Sequence, residues 1–180
     1  MKFGLKPKHV TISLGIVFVL LAGYFIYQYE QNKELTHYTY NGMALGFRDD
    51  LRATQNIPVS DANDIIANSW NAYLNNVTIV FVNSTDNHLV EVNAVEITYK
   101  LGLVYQSYGA FIGFKGKDID SYNNITSNQD SLVIAMVPPA LANETSVSYK
   151  TGVVFIQGKT QKDFDLATIK FLMTVLNITV

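Results

Sequence analysis

The sequence predicts an α/β (or α+β) domain that follows an N-terminal transmembrane helix. Short apolar runs rich in β-branched residues alternate along the chain with longer segments of helical spacing. This alternation is typical of a mixed sheet that is covered by helices on both faces. One uncharged run near the start is long enough to cross a bilayer, and 180 residues can hold one ordinary domain behind such an anchor.

The transmembrane signal anchor is predicted at residues 10–27. A helix of this length, at about 1.5 Å per residue, spans about 27 Å, close to the thickness of a bilayer core of about 30 Å. Lys2, Lys6 and Lys8 precede the run and tyrosines gather at its far end, so we expect residues 1–9 to be cytoplasmic and the body to lie outside the cell. The alternatives are a cleaved signal peptide, which the bulky residues after the run disfavour, and a buried globular helix.

The composition excludes several kinds of chemistry. The chain has no cysteine, so it can form no disulfide, thiolate nucleophile, cysteine zinc site or cysteine lipid anchor. His9, His37 and His88 are far apart and lack the spacing of metal ligands. No metal or cofactor is therefore predicted. Residues 28–180 carry 10 basic residues against 15 acidic ones, which disfavours a nucleic-acid partner.

Five N-x-Thr acceptor triplets make the body a candidate glycoprotein. An asparagine-rich and threonine-rich surface also produces such triplets without glycans, so both alternatives stay open. The glycosylation candidates are Asn76, Asn83, Asn124, Asn143 and Asn177.

A juxtamembrane linker is predicted at residues 28–37 and the extracytoplasmic domain at residues 38–180. The alternating stretch at residues 37–47 has an Asn-Gly turn at its centre and predicts strands or a hairpin. The next stretch, residues 52–59, is predicted as a short extended piece, because a residue that precedes a proline, as Ile57 precedes Pro58, disfavours the helical conformation.

A helix is predicted at residues 60–73, with Ile66, Trp70 and Tyr73 on its buried face. Within residues 76–83, the run from Val77 to Val82 is apolar apart from Thr78 and rich in β-branched residues, which predicts a strand covered on both faces. Residues 88–108 keep helical spacing and are long for one strand, so a helix is favoured there.

The last third of the chain begins with a glycine-rich and polar stretch, residues 109–130. It predicts a long surface loop, with room for a short edge strand at its start. A buried strand at residues 131–137 and a hairpin at residues 146–158 follow. The final segment, residues 160–178, predicts a helix capped by Thr160 and apolar on most sides, which indicates that it is well buried.

A cluster of four charges just before the first predicted helix supplies the candidate residues for ligand or partner contact. Arg48, Asp49, Asp50 and Arg52 stand within five positions and include both arginines of the chain. The guanidinium is a planar fork of donors that suits carboxylates and backbone carbonyls. We expect a structural clamp in which Arg48 or Arg52 pairs with a nearby acid such as Glu96, and an anionic ligand or catalysis is the alternative.

The remaining acidic pairs are weaker candidates. Asp118 and Asp120 could hold a cation in a flexible loop but are more typical of solvated turn residues. Asp163 and Asp165 are expected to complement the dipole at a helix start. No nucleophile-elbow motif or catalytic triad can be assembled, so no catalytic residue is predicted.

Three stretches carry a resemblance to a known family. "FRDDLRATQNIPVSD", "PPALANETSV" and "IQGKTQKDFDLATIKFLMTVLNI" resemble short, single-anchor extracytoplasmic proteins of small-genome archaea, over about residues 38–178. The resemblance implies a location in an archaeal cell envelope and an α/β body. It implies no activity, cofactor, partner or functional residue.

The anchor, the outward body and the missing catalytic motifs together favour a non-enzymatic function. We expect a membrane-anchored domain that binds or scaffolds another component of the cell envelope. The first alternative is an extracytoplasmic small-molecule or solute-binding module, with its pocket at the carboxyl ends of the buried strands. A hydrolase or transferase built on Asp49, Asp50 or Glu96 and a pilus-like subunit are the remaining alternatives.

Overall fold

The computed structural model describes residues 36–71, 76–127 and 131–179. These residues form a hairpin, a five-stranded sheet, three α-helices and two short 3-10 helices. The strands are β1 (Thr36–Tyr40), β2 (Met43–Phe47), β3 (Asn76–Phe81), β4 (Gly113–Asp118), β5 (Ser131–Val137), β6 (Ser146–Lys150) and β7 (Val153–Gln157). The helices are α1 (Ala62–Asn71), α2 (Asn87–Ser107) and α3 (Gln161–Val175), and the 3-10 helices are Leu51–Asn56 and Tyr122–Asn124.

The sheet is mixed, as the sequence predicts, with the strand order β4-β3-β5-β7-β6. β3 pairs in parallel with β4 on one side and with β5 on the other. β5 pairs in parallel with β7, and β6 is antiparallel to β7. The predicted central strands at residues 76–83 and 131–137 are confirmed, and the predicted edge strand in the glycine-rich stretch is β4.

The three helices share one face of the sheet. Their buried side chains form a single core with alternate residues of the strands, such as Ile79 and Ile134. On the opposite face, Val80, Val133, Ala135 and Val153 form a second, smaller core that contains no residue of a helix among the described positions. The prediction of helices on both faces is therefore wrong for the part of the chain that the structure describes.

A loop covers the second face where a helix was expected. The described part of the connection from β4 to β5 contains a short 3-10 helix and no α-helix. Its apolar residues Ile119, Tyr122 and Ile125 pack on the second core. The Tyr122 hydroxyl donates a hydrogen bond to the carbonyl of Met136 and accepts one from the amide of Val82 at 3.2 Å. Residues 109–130 are too rich in turn formers to build a longer helix.

The predicted hairpin at the start of the domain is confirmed. β1 and β2 pair antiparallel around Asn41 and Gly42, whose φ angles of 48° and 81° are those that a type I′ turn requires. β1 begins at Thr36, so the last two residues assigned to the linker belong to the domain. Leu45 and Phe47 are buried and join the core of the helical face.

The segment expected to be extended at residues 52–59 is instead mostly helical. A 3-10 helix runs from Leu51 to Asn56, and only residues 57–59 are extended or bent. The Asp50 carboxylate caps this helix, and Thr54, fully buried, donates to the carbonyl of Leu51 at 2.7 Å. Pro58 restricts only the residue before it, and Ile57 is extended accordingly. The cap and the buried turn therefore form the 3-10 helix at the preceding residues without opposition from Pro58.

The predicted helices are confirmed, but the buried face of α1 is not the predicted one. Its fully buried residues are Ile65 and Ser69, whereas Ile66 and Trp70 are half-buried and Tyr73 lies outside the described residues. α3 is buried on most sides, and Thr160 caps it through the amide of Asp163 as expected.

Trp70 connects the three helices. Its ring packs edge-on against Tyr105 and Tyr108, with centroids 5.5 and 5.4 Å apart. Its indole N–H donates to the carbonyl of Val175 at 3.2 Å. An edge-to-face arrangement of this kind suits the quadrupoles of aromatic rings. α1, α2 and α3 therefore meet around one aromatic cluster.

The predicted anchor at residues 10–27, the tail at residues 1–9 and most of the linker lie outside the described residues. Within the described ranges, no helix combines the length and the apolar character that crossing a membrane requires.

Candidate functional site

The charge cluster clamps the hairpin onto the helices. The Arg48 Nε atom lies 3.8 Å from Glu96 Oε2 of α2, which is one of the two pairings expected from the sequence. Asp49 accepts a hydrogen bond from the ammonium of Lys162 in α3. Arg48 and Asp49 are adjacent, so the segment after β2 contacts two helices at once.

The other two members of the cluster have different roles. Asp50 accepts a hydrogen bond from the Arg52 amide at 2.9 Å, which caps the first 3-10 helix. The Arg52 side chain is exposed and forms no ion pair with any residue that the structure describes. Three of the four residues thus have structural contacts, and Arg52 alone remains open to a ligand or partner.

Beneath this clamp lies a buried cation that sequence reasoning did not single out. Lys100 of α2 is only 2% exposed, and its ammonium donates to Glu96 and lies 4.8 Å from the centre of the Phe47 ring. Burial lowers the pKa of Lys100 below its ordinary value; Glu96 opposes this shift and Arg48 adds to it. A buried ammonium needs such partners, because an unpaired charge away from water is costly.

The carboxylates proposed as a catalytic set are therefore all engaged. Glu96 contacts Lys100 and Arg48, Asp49 contacts Lys162, and Asp50 caps a helix. Asp118 ends β4 and Asp120 follows the strand, and both are exposed. Asp165 accepts a hydrogen bond from Asn93 at 2.8 Å. No group of three or more metal-ligating side chains occurs within the described ranges.

The carboxyl ends of the central strands, where the sequence placed a solute pocket, are bridged by their own loops. The carboxylate of Asp86, after β3, accepts a hydrogen bond from the amide of Ala140, after β5, at 2.8 Å. Asn87 accepts from the Ser84 amide at 2.8 Å. These contacts occupy polar groups that a ligand at this crevice would otherwise use.

An apolar groove lies beside this crevice, between α2 and the strands β3 and β4. Its volume is about 350 Å³. Its apolar lining consists of Ile79, Phe81, Val90, Ala94, Val95 and Phe114. Gly116 of β4 also lines the groove, and a Cβ atom added there would meet no heavy atom within 4 Å. The missing side chain of Gly116 thus helps to leave the groove open.

The exposed face of α2 continues the groove with apolar side chains. Val95, which lines the groove, is 62% exposed, and Tyr99, one turn further along, is 64% exposed. Val92 precedes them on the same face and is also exposed. Groups of exposed apolar side chains of this kind mark interaction sites more often than isolated ones do.

The strand that borders the groove is an edge of the sheet. β4 pairs only with β3, so its other side carries unpaired backbone donors and acceptors in the described part of the fold. Lys115 and Lys117 are exposed on this strand and form no ion pair with a described residue. Lys117 also lines a cavity of about 250 Å³ on the opposite face of the sheet, together with Val80 and Val133.

The glycosylation candidates occupy different surroundings. Asn83, Asn143 and Asn177 are exposed. Asn76 is half-buried, and its side-chain oxygen lies 2.5 Å from the position that a Cβ of Gly113 would take, so its amide packs against the edge strand. Asn124 ends the second 3-10 helix.

Comparisons with known proteins give no match: no family model, curated protein or solved structure is similar enough to this chain to be significant. The site is therefore defined by the geometry alone. Sequence reasoning missed the groove, although one signal was present in "GFKGKD", where Phe114 and Gly116 alternate with two lysines on a short edge strand.

Proposed function

We propose that this chain is an anchored extracytoplasmic binding or scaffolding domain of the cell envelope, and that it contacts its partner through the groove and the exposed face of α2. The observation that carries the proposal is the continuous apolar surface formed by Val92, Val95, Tyr99 and the groove. No side chain of the described chain covers this surface. Burying this apolar surface against a partner would contribute about 25 cal/mol of favourable binding free energy for each Å² that is removed from water.

The location rests on the sequence. The charge asymmetry around residues 10–27 favours a cytoplasmic amino terminus and an outward body. The acceptor triplets and the resemblance to archaeal envelope proteins agree with that orientation. A domain held at a membrane surface is confined near its envelope partners, which raises their effective concentration.

The absence of cysteine from the sequence allows a sharp test in cells. A Tyr99→Cys variant of the full chain is labelled in intact cells with a membrane-impermeant, thiol-reactive photocrosslinker. We expect labelling from outside and, after irradiation, a discrete crosslinked species of higher mass. A Lys150→Cys variant, at the exposed end of β6, serves as the matched control because it should label equally well and crosslink weakly.

Two outcomes would contradict the proposal. If neither cysteine is labelled in intact cells but both are labelled after lysis, the body does not face outward. If the Tyr99→Cys and Lys150→Cys variants give the same crosslinking pattern, the α2 surface is not the contact surface.

A small apolar solute is the second candidate for this site. Its support is the volume of the groove, about 350 Å³, because ligand pockets span roughly 300–1,000 Å³. A thermal-shift screen with small apolar compounds would favour it if a compound stabilises the full chain and a groove-filling Gly116→Ile variant loses the effect.

A further inference from the structure

We propose that the groove and β4 together bind an extended segment of a partner protein in which apolar residues alternate with acidic ones. The segment adds as a further strand beside β4. This inference rests on the proposed binding function and names the class of partner.

The backbone of β4 supplies the first requirement. Because β4 is a terminal strand of the sheet, its outer donors and acceptors can pair with an added strand. Gly113 and Gly116 leave two positions of this short strand without side chains. An incoming backbone can therefore approach β4 closely along much of its length.

The two faces of β4 define the side chains of the partner. Phe114 and Gly116 belong to the face that borders the groove. The lining of the groove is apolar except for Glu91, Thr98 and Lys115. Lys115 and Lys117 alternate with them, so the strand geometry directs their side chains to the opposite face. There Lys117 lines the second cavity, whereas Lys115 also contributes to the rim of the groove. An added strand alternates in the same way, so its apolar side chains enter the groove and its remaining side chains lie next to the lysines.

Charge favours an acidic partner over a second copy of this chain. Lys115 and Lys117 have no ion-pair partner among the described residues. If the β4 strands of two copies paired with each other, their lysines would crowd on one face, and like charges on neighbouring strands are destabilising. Glutamate or aspartate at alternate positions of a different segment would instead pair with both lysines.

The test uses the full-length chain in detergent micelles and a fluorescent synthetic peptide that alternates valine with glutamate. Fluorescence anisotropy should show saturable binding. A Lys115→Glu/Lys117→Glu variant should bind at least about tenfold more weakly, because two attractions become repulsions. The same variant should bind a valine–lysine peptide more tightly than the native chain does.

A matched control separates this effect from overall charge. Lys150→Glu/Lys159→Glu makes the same change in net charge at exposed positions away from β4, and binding of the acidic peptide should change by less than about twofold. Equal loss in both double variants would overturn the proposal, since the attraction would then be non-specific.

Two further measurements test the groove and the strand geometry. Gly116→Ile places a side chain in the groove without a clash at Cβ and should weaken binding by at least about tenfold. Methylating alternate amides of the peptide should abolish binding in one register and leave it in the other, because only one edge of an added strand faces β4. Equal tolerance of both registers would overturn strand addition.

The two proposals can fail separately. If Tyr99→Cys crosslinks a partner in cells but the acidic peptide does not bind, the class of partner is wrong and the binding function stands. If the peptide binds as expected but no specific crosslink forms at α2, the groove is a strand-binding site and the α2 face does not contribute to the contact.

Discussion

The two sides of α2 reverse the usual relation between polarity and burial. On the side that faces the hairpin, Glu96 and Lys100 are largely removed from water. On the side that borders the groove, Val95 and Tyr99 are mostly exposed. The comparison shows that burial on this helix follows from what packs against each face and not from the residue type.

The buried charges on the clamp side are stabilised because each of them has a partner. Lys100 has a carboxylate and an aromatic face within contact distance, and removing one partner of a buried ion pair leaves an uncompensated charge. On the groove side no such compensation exists within the described chain. The buried charges of the clamp are thus paired within the chain, whereas the apolar side chains beside the groove stay in contact with water.

The largest expected effect comes from removing the charge of Glu96. Glu96→Gln leaves Lys100 buried without a counter-ion and should lower the free energy of unfolding by about 3 kcal/mol. Chemical denaturation of the full chain measures the change. Glu91→Gln, on the exposed part of the same helix, is the control and should change stability by less than about 0.5 kcal/mol. Equal effects would show that the clamp contributes nothing specific.

At the groove, a substitution is expected to change the free energy of unfolding by a smaller amount and in the opposite direction. Gly116→Val adds a β-branched side chain to a strand position with open space and should stabilise the chain by about 0.5–1 kcal/mol. Gly113→Val on the same strand should gain less, since its Cβ would meet the Asn76 side chain. Thermal unfolding compares the two variants. A destabilised Gly116→Val would mean that the groove is already filled.

The smallest expected effect is a pH dependence of stability that arises from Lys100 in the clamp. Because the pKa of Lys100 is lowered in the folded chain, the unfolded chain binds more protons between that pKa and about 10.4. Stability should therefore rise with pH in this window, and Lys100→Met should flatten the rise. Unfolding measured between about pH 8 and 9.5 avoids the opposite contribution of Tyr40, whose pKa burial raises to about 12.

Most elements were predictable from the sequence because their signals are local. The Asn41-Gly42 turn, the β-branched runs of β3 and β5, and the Thr160 cap each depend on a few neighbouring residues. The pairing of Arg48 with Glu96 was also foreseen, since an arginine beside an irregular turn needs acceptors and Glu96 was a nearby acid.

The rest depended on contacts between distant parts of the chain. Spacing placed Lys100 off the apolar stripe of α2, and only the packing of Phe47, from the hairpin, explains why it is buried. The groove likewise arises where Gly116 happens to lie beside α2, and no local pattern defines that neighbour. The second face of the sheet was assigned wrongly because strand patterns show burial but not what covers a strand.

The aromatic cluster around Trp70 gives the domain an internal optical reporter. Trp70 is the only tryptophan of the chain, and two tyrosines pack against its ring. Light absorbed by Tyr105 and Tyr108 should pass to Trp70 while α1 and α2 remain together. Loss of this energy transfer would therefore report separation of α1 from α2, independently of the backbone signal from the sheet. Whether the helices and the sheet unfold in one step or one after the other can therefore be observed without attaching any label.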